Sequence, residues 1–407
     1  MKTIAIISPD TVPLPIQKDA PEMITLREGE FSLRDKCCRA TSLGVRAWKM
    51  AEQLSKHFKV TLLIPDINFP GNEYIDTSRL FCDVAKYDYE LSLDNLEPRL
   101  QRKLTDYDVT IVQSNSGAAF WNCAFLPERH HLIIDGWTLL PVELPLSLLG
   151  YDEVYKKKVW DDLMLKFYSL IKRGDCILYN ADPHKYYYEG LLFHVGKSNW
   201  DSVDKSNLIK LSFGVDKNEK IQRNTRSSNL KLLWYGPVYP WYDPETLIKA
   251  ISEIDNIELD FYAIRHPRFS KSYHRLYESV FKSIDCPRIS INLDYQDKHW
   301  NLYKNYDAGV LLSKEGLESM FSLRIRTIDM ISYGLPVLSN DSYPFGDTLD
   351  LENIVYPISR SNLKEELSRY AGRKAAMYIS EESFSLIQQN LSWESTTKEL
   401  VNYIGNL

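Results

Sequence analysis

The chain has 407 residues, more than one ordinary hydrophobic core organises, which predicts two domains. Its 44% hydrophobic and 26% charged content is that of a folded globular protein, and a net charge of -6 argues against nucleic acid as a main partner. Six cysteines with no C-x-x-C pair read as free thiols of a reducing compartment.

The first residues, MKTIAIISPD, hold too few apolar positions for a signal peptide and read as a buried strand, TIAIIS (3–8). A polar stretch (9–40) follows, then a helix near 43–57 and the strand KVTLLIPD (59–66). Further strands are predicted at 108–114, 131–136, 175–180 and 208–214, with a long helix over 151–173. These strands are apolar on both faces, the pattern of a parallel sheet covered by helices. Residues 215–229, VDKNEKIQRNTRSSN, are polar and aperiodic, the pattern of a linker. The alternation restarts with strands at 230–236, 258–264, 288–294, 307–313 and 335–341, and helices at 244–254, 270–283 and about 322–333. The expected fold class is α/β, two Rossmann-like domains facing each other across a cleft. Domain one spans 1–214, the linker 215–229 and domain two 230–380. The last stretch, 381–407, reads as a helix crossing back to the first domain. No run approaches the ~20 apolar residues of a bilayer span, so a cytoplasmic protein is expected. Lys156, Lys157 and Lys158, beside Trp160, Leu163, Leu165 and Phe167, either cover a sheet or rest on an anionic membrane, with Asp161 and Asp162 interrupting the basic face.

Several segments place chemistry at strand ends, where α/β ligands collect. In Thr41-Ser42-Leu43-Gly44-Val45-Arg46 a capped helix start with a glycine offers backbone N–H groups to an anion; a plain capped helix is the simpler account. Asp135 stands at the carboxyl end of the strand HLIID, placed to orient a sugar hydroxyl, to stabilise positive charge, or merely to cap a turn. In LLWYGPVYPWYDPETL the strand end brings Tyr235 and Gly236 before an aromatic loop, and Asp243-Pro244 opens a helix. Arg265 and His266 stand just past another strand. Eight scattered histidines form no H-x-x-x-H or H-E-x-x-H pattern, so no metal site held by the protein is expected. In ESMFSLRIRTIDMISYGLPVL (318–338) a helix is expected to start near Ser322, where Arg324 and Arg326 either flank a bound anion, their guanidinium forks suiting a diphosphate, or simply lie on a solvated helix face. Asp329 is positioned to pair with one of these arginines, and Glu318 to accept from a sugar hydroxyl.

Taken in order, GVRAWKMAEQLSKHFKVTLLIPD, HLIIDGWTLLPVELP, NADPHKYYYEGLLFHVGK, LLWYGPVYPWYDPETLIKAI, FYAIRHPR, KEGLESMFSLRIRTIDMISYGLPVLSND and NLSWES resemble the retaining, family-4-like group of bacterial GT-B glycosyltransferases. The resemblance covers most of the chain. It implies transfer of a sugar from a nucleotide-diphosphate sugar with retention of configuration, without metal or other cofactor. The donor would lie mainly on the C-terminal domain. The acceptor, a glycan, a lipid-linked glycan or a small molecule, would lie mainly on the N-terminal one. It implies catalytic roles for Asp135, Arg324 and Arg326, the arginines neutralising the leaving diphosphate with help from Arg265 and the Gly44 loop. Donor contacts fall to Gly44, Arg46, Tyr235, Gly236, Arg265, Glu318, Phe321, Ser322 and Asp329. One departure is visible: many members carry two glutamates spaced E-x7-E, where this chain has Phe321 and Asp329. A non-catalytic protein that binds a nucleotide sugar or a partner transferase, and a nucleotide-sugar epimerase, are the alternatives.

Overall fold

The structure is a computed structural model. It describes residues 1–21, 23–26, 29–32, 40–66, 72–88, 98–115, 122–197, 208–224, 227–263, 278–282, 284–292, 299–341 and 354–407. The chain forms two compact units. One comprises Met1–Leu144, Asp152–Ser212 and Trp393–Leu407, the other Pro145–Tyr151 and Phe213–Ser392.

The first unit holds a seven-stranded parallel sheet. Its strands are β1 (Thr3–Ile7), β4 (Lys59–Pro65), β5 (Asp83–Tyr87), β6 (Val109–Gln113), β7 (His131–Asp135), β8 (Cys176–Tyr179) and β9 (Leu208–Lys210). They lie in the order β5-β4-β1-β6-β7-β8-β9. An antiparallel pair, β2 (Met23–Leu26) and β3 (Gly29–Ser32), stands apart from the sheet. Helices α1 (Ser42–Ser55), α2 (Pro98–Thr105), α3 (Leu140–Ser147), α4 (Glu153–Arg173) and α5 (Asp182–His194) alternate with the strands. Strands β1, β6 and β7 are buried almost throughout because helices cover the sheet, and Ile4, Ile6, Ile111 and Ile133 pack with Ala47, Met50 and Leu54 of α1. On α4, Lys156, Lys157 and Lys166 pair with Glu153, Asp161 and Asp162 of the same helix. No helix among the described residues is long and apolar enough to cross a membrane.

The second unit repeats the plan with six parallel strands in the order β12-β11-β10-β13-β14-β15. They are β10 (Leu230–Tyr235), β11 (Ile257–Tyr262), β12 (Ile289–Asn292), β13 (Ala308–Leu311), β14 (Val337–Ser339) and β15 (Val355–Pro357). The helices are α6 (Pro244–Ser252), α7 (Trp300–Tyr303), α8 (Leu317–Phe321), α9 (Ile325–Ser332), α10 (Leu363–Gly372) and α11 (Glu381–Asn390). Asp243 caps α6 by accepting from the Thr246 N–H, with Pro244 in the first turn. Most of the expected helix at 270–283 lies outside the described residues; 278–282 are helical.

Residues of the expected linker are held against the second unit: Val215 N donates to Leu391 O, Ile221 N to Tyr333 O and Asn224 N to Lys304 O. The C-terminal stretch is two helices, α11 and α12 (Trp393–Asn406), and α12 belongs to the first unit. In each sheet the strand order reverses beside the first strand, between β1 and β6 and between β10 and β13. Such switch points are where doubly wound sheets bind ligands, at the carboxyl ends of the strands. Among the described residues Cys82, Cys123, Cys176 and Cys286 are free thiols.

Candidate functional site

At the switch point of the first unit, α1 begins at Ser42, and Thr41 caps it by accepting from Gly44 N. A Cβ on Gly44 would lie 1.7 Å from the Thr11 carbonyl oxygen. The space this glycine opens is therefore filled by the chain's own carbonyl, whose partial negative charge suits a helix N-terminus. That corrects the expectation of a ligand at Gly44. Arg46 and Asp135 are each 0% exposed. Arg46 donates from Nε and Nη2 to the two Asp135 oxygens at 2.8 Å each, and further to the carbonyls of Leu211 and Ser212. Its guanidinium also lies 4.9 Å from the Trp137 ring centroid. Both residues are spent on one another and neither side chain is open to solvent. They lock α1 onto the carboxyl end of β7. The expected catalytic role of Asp135 and donor contact of Arg46 are replaced by this positioning role.

At the switch point of the second unit, β10 ends in Tyr235 and the chain turns at Gly236, whose φ of +108° favours glycine. Arg326 comes to the same place from the first turn of α9, so close that a Cβ on Gly236 would be 2.9 Å from its Nε. Its guanidinium carbon lies 4.5 Å from the Tyr242 ring centroid, 5.6 Å from Tyr239 and 5.8 Å from Trp234, and Nη2 donates to Pro237 O. Its Nη1 is buried with no hydrogen-bond partner, and no carboxylate among the described residues pairs with it. Aromatic faces hold a cation without neutralising it.

Arg324 is different in kind. The chain is not continuously helical through 322–333: α8 stops at Phe321, Ser322 is extended (ψ 134°), and α9 starts at Ile325. This break turns Arg324 inward, leaving it 4% exposed. Its Nη1 donates to Glu318 Oε1 at 2.6 Å and its Nε to Asp341 Oδ2 at 3.1 Å. Nη2 reaches Glu318 Oε2, Asp341 Oδ1, Ser313 Oγ and Ser319 Oγ. Burial alone works against its charge, but Tyr242, Asp341 and Glu318 outweigh burial and raise its pKa. Every nitrogen of this fork is used, and two carboxylates cancel the cation. Arg324 is thus not half of a diphosphate clamp, and Glu318, 5% exposed and also accepting from Ser322 Oγ, is not open to a sugar hydroxyl.

Asp329 pairs with neither arginine. Its Oδ2 lies 2.9 Å from His299 Nε2 and accepts from the Tyr303 hydroxyl. His299 stacks on Tyr235 with ring centroids 4.7 Å apart and planes at 19°. Tyr239 and Trp241 form a second stacked pair at 4.7 Å and 13°. Phe321 ends α8 half-buried. Arg265 and His266 lie outside the described residues. The reading of single segments missed His299 and Asp341: His299 precedes the four-residue helix α7, and Asp341 reads as an ordinary turn residue after β14.

No family model matches the sequence and no curated protein does either. Among solved structures, the chain superposes over its full length on sucrose-phosphate synthase from Thermosynechococcus elongatus, at 13% identity, 99% of that chain and a TM-score of 0.69. It matches HepE of Anabaena, solved in complex with UDP-glucose, over all of both chains at 11% identity and a TM-score of 0.61. The lipopolysaccharide outer core galactosyltransferase WaaB is similar over 99% of both chains, at 11% identity and a TM-score of 0.59. The chain has the GT-B fold. At 11–13% identity the likeness extends to architecture, and the GT-B chain's chemistry has to be argued from its own residues.

Proposed function

We propose that this GT-B protein is a glycosyltransferase that moves a hexose from a nucleotide-diphosphate sugar to an acceptor with retention of configuration. Arg326 carries the reading: a guanidinium with a buried, unpartnered Nη1 and no neutralising carboxylate among the described residues, at the carboxyl end of β10. Departure of a nucleoside diphosphate builds negative charge. A cation fixed beforehand by three rings meets that charge without rearrangement. The role expected of two arginines thereby falls to one, with Arg324 shaping the α8–α9 segment that aims it. HepE bound to UDP-glucose supports the choice of donor class. In this reading the C-terminal unit takes the nucleotide sugar and the N-terminal unit the acceptor, be it a glycan, a lipid-linked glycan or a small molecule. The cation facing the diphosphate is Arg326, and no metal is invoked. The setting is the cytoplasm, with any membrane contact through α4.

A panel of nucleotide sugars with the wild type, Arg326→Ala and Arg326→Lys tests this. Arg326→Ala should lower donor turnover about 10²–10³-fold, the loss typical of one preorganised donor. Arg326→Lys should fall between, because it restores charge without the fork. Absence of donor hydrolysis, transfer and binding at millimolar nucleotide sugar would sink the proposal; wild-type turnover in Arg326→Ala would remove Arg326 from it. Glu318 is tied to Arg324 and Phe321 bears no carboxylate, which favours a second reading: a protein that binds nucleotide sugars without turning them over. Binding without turnover across a broad acceptor panel would decide for it.

A further inference from the structure

We propose that His299 is a ligand-contacting residue of the same site, offering its Nδ1 to a hydroxyl of the bound nucleotide sugar. This rests on the reading of the C-terminal unit as the nucleotide-sugar site. The first argument is the tautomer. A carboxylate only accepts, so the 2.9 Å contact of Asp329 Oδ2 with His299 Nε2 requires the hydrogen on Nε2. The Tyr303 phenol donates to the same oxygen; burial, together with Asp329, raises its pKa well above the ordinary value and keeps that hydrogen in place. In the neutral ring Nδ1 is left as a lone-pair acceptor.

The second argument is rigidity. Tyr235 covers one face of the imidazole, Trp300 meets it edge-on at 5.4 Å and 72°, and Tyr303 at 5.7 Å and 68°. Three rings and a carboxylate fix its direction, the support that ligand-binding histidines receive from their neighbours. The third argument is place. Tyr235 is the last residue of β10 and directly precedes Gly236, against which Arg326 lies, and Asp329 follows Arg326 by three residues on α9. The His299 side chain is 21% exposed, so the ring is not sealed within the protein. Arg326 then supplies the cation for phosphate oxygens, which a neutral Nδ1 cannot bind, and His299 supplies the acceptor for a hydroxyl.

The experiment labels the histidines with ¹⁵N and follows both ring nitrogens of His299, identified by their loss in His299→Phe, as UDP-glucose, UDP and inorganic pyrophosphate are added. The ligand-free spectrum should be that of the Nε2–H tautomer. Its Nδ1 resonance should move with UDP-glucose and not with pyrophosphate, which carries no sugar hydroxyl. Movement with UDP as well assigns the ribose, and movement with UDP-glucose alone assigns the hexose. His299→Phe, which retains the stack on Tyr235, should weaken UDP-glucose about 3–10-fold, the worth of one hydrogen bond, and His299→Asn should recover part of that. An Nδ1 resonance indifferent to bound UDP-glucose, or equal affinity in His299→Phe, overturns the inference while leaving the transferase reading intact. A wild type that binds no nucleotide sugar overturns both.

Discussion

Replacing Arg324 with alanine leaves two carboxylates facing each other without a cation, Glu318 at 5% and Asp341 at 0% side-chain exposure. Removing one partner of a buried ion pair costs about 3–5 kcal/mol, most of it the cost of the charge left behind. The lost contact with the Tyr242 ring, 5.1 Å from the guanidinium carbon, adds about 0.5–1 kcal/mol. For a unit of this size such a loss lowers the melting temperature by about 7–24 °C. Calorimetry should show this in the transition of the second unit alone, with the first unchanged. Hydrogen exchange should quicken around α8 and α9 and not in α1. The triple variant Glu318→Gln, Arg324→Met, Asp341→Asn removes all three charges at similar volume and should recover most of the loss. A loss below about 1 kcal/mol in Arg324→Ala, or a triple variant no better than the single one, would refute the argument that the cluster is a closed ionic unit.

Gly44→Ala should destabilise the first unit by about 1–3 kcal/mol, since the added Cβ meets the Thr11 carbonyl, which is backbone and cannot swing aside. Gly190→Ala in α5, with nothing within 4 Å of the new Cβ, should instead stabilise by about 0.4–1 kcal/mol; urea midpoints of the two variants on the same side of wild type would contradict this. Burial, with the charge of Arg173 beside it, holds His130 below the ordinary histidine value of 6.5. Burial does the same to His131 against the pull of Asp175. Below 6.5 the unfolded chain therefore binds more protons than the folded one, so stability should fall as pH drops through that value. His130→Asn with His131→Asn should flatten that slope, and an unchanged slope would assign it elsewhere.

The α/β class was legible because apolar runs such as TIAII and VTIVQ, buried on both faces, have few other homes. β5 was not legible, since DVAKY is half-exposed and carries no apolar run. Candidate site residues were legible as a neighbourhood: Gly236 and Arg326, 90 positions apart, do meet. Their division of labour was not. Spacing on a helix cannot reveal that Ser322 is extended, and that single bend decides which arginine turns onto carboxylates and which onto aromatic rings. The same limit applied at Gly44, where sequence shows that something approaches the backbone but not whether it is a ligand or the chain itself.

The path of the chain has a consequence for how the protein is made. The first unit is built from segments at both ends of the sequence: Lys2 Nζ donates to Ile404 O, and His131 pairs with Tyr403. Leu400 and Ile404 of α12 sit at 0% exposure in the same core as Ile4 and Leu62. During synthesis, nearly the whole of the second unit leaves the ribosome before the first can be finished. The usual order of domain completion, amino end first, is reversed here. Until α12 arrives, the core face it covers is open to water and to other chains, so a chain interrupted before residue 393 would carry a folded second half and an exposed, aggregation-prone first half.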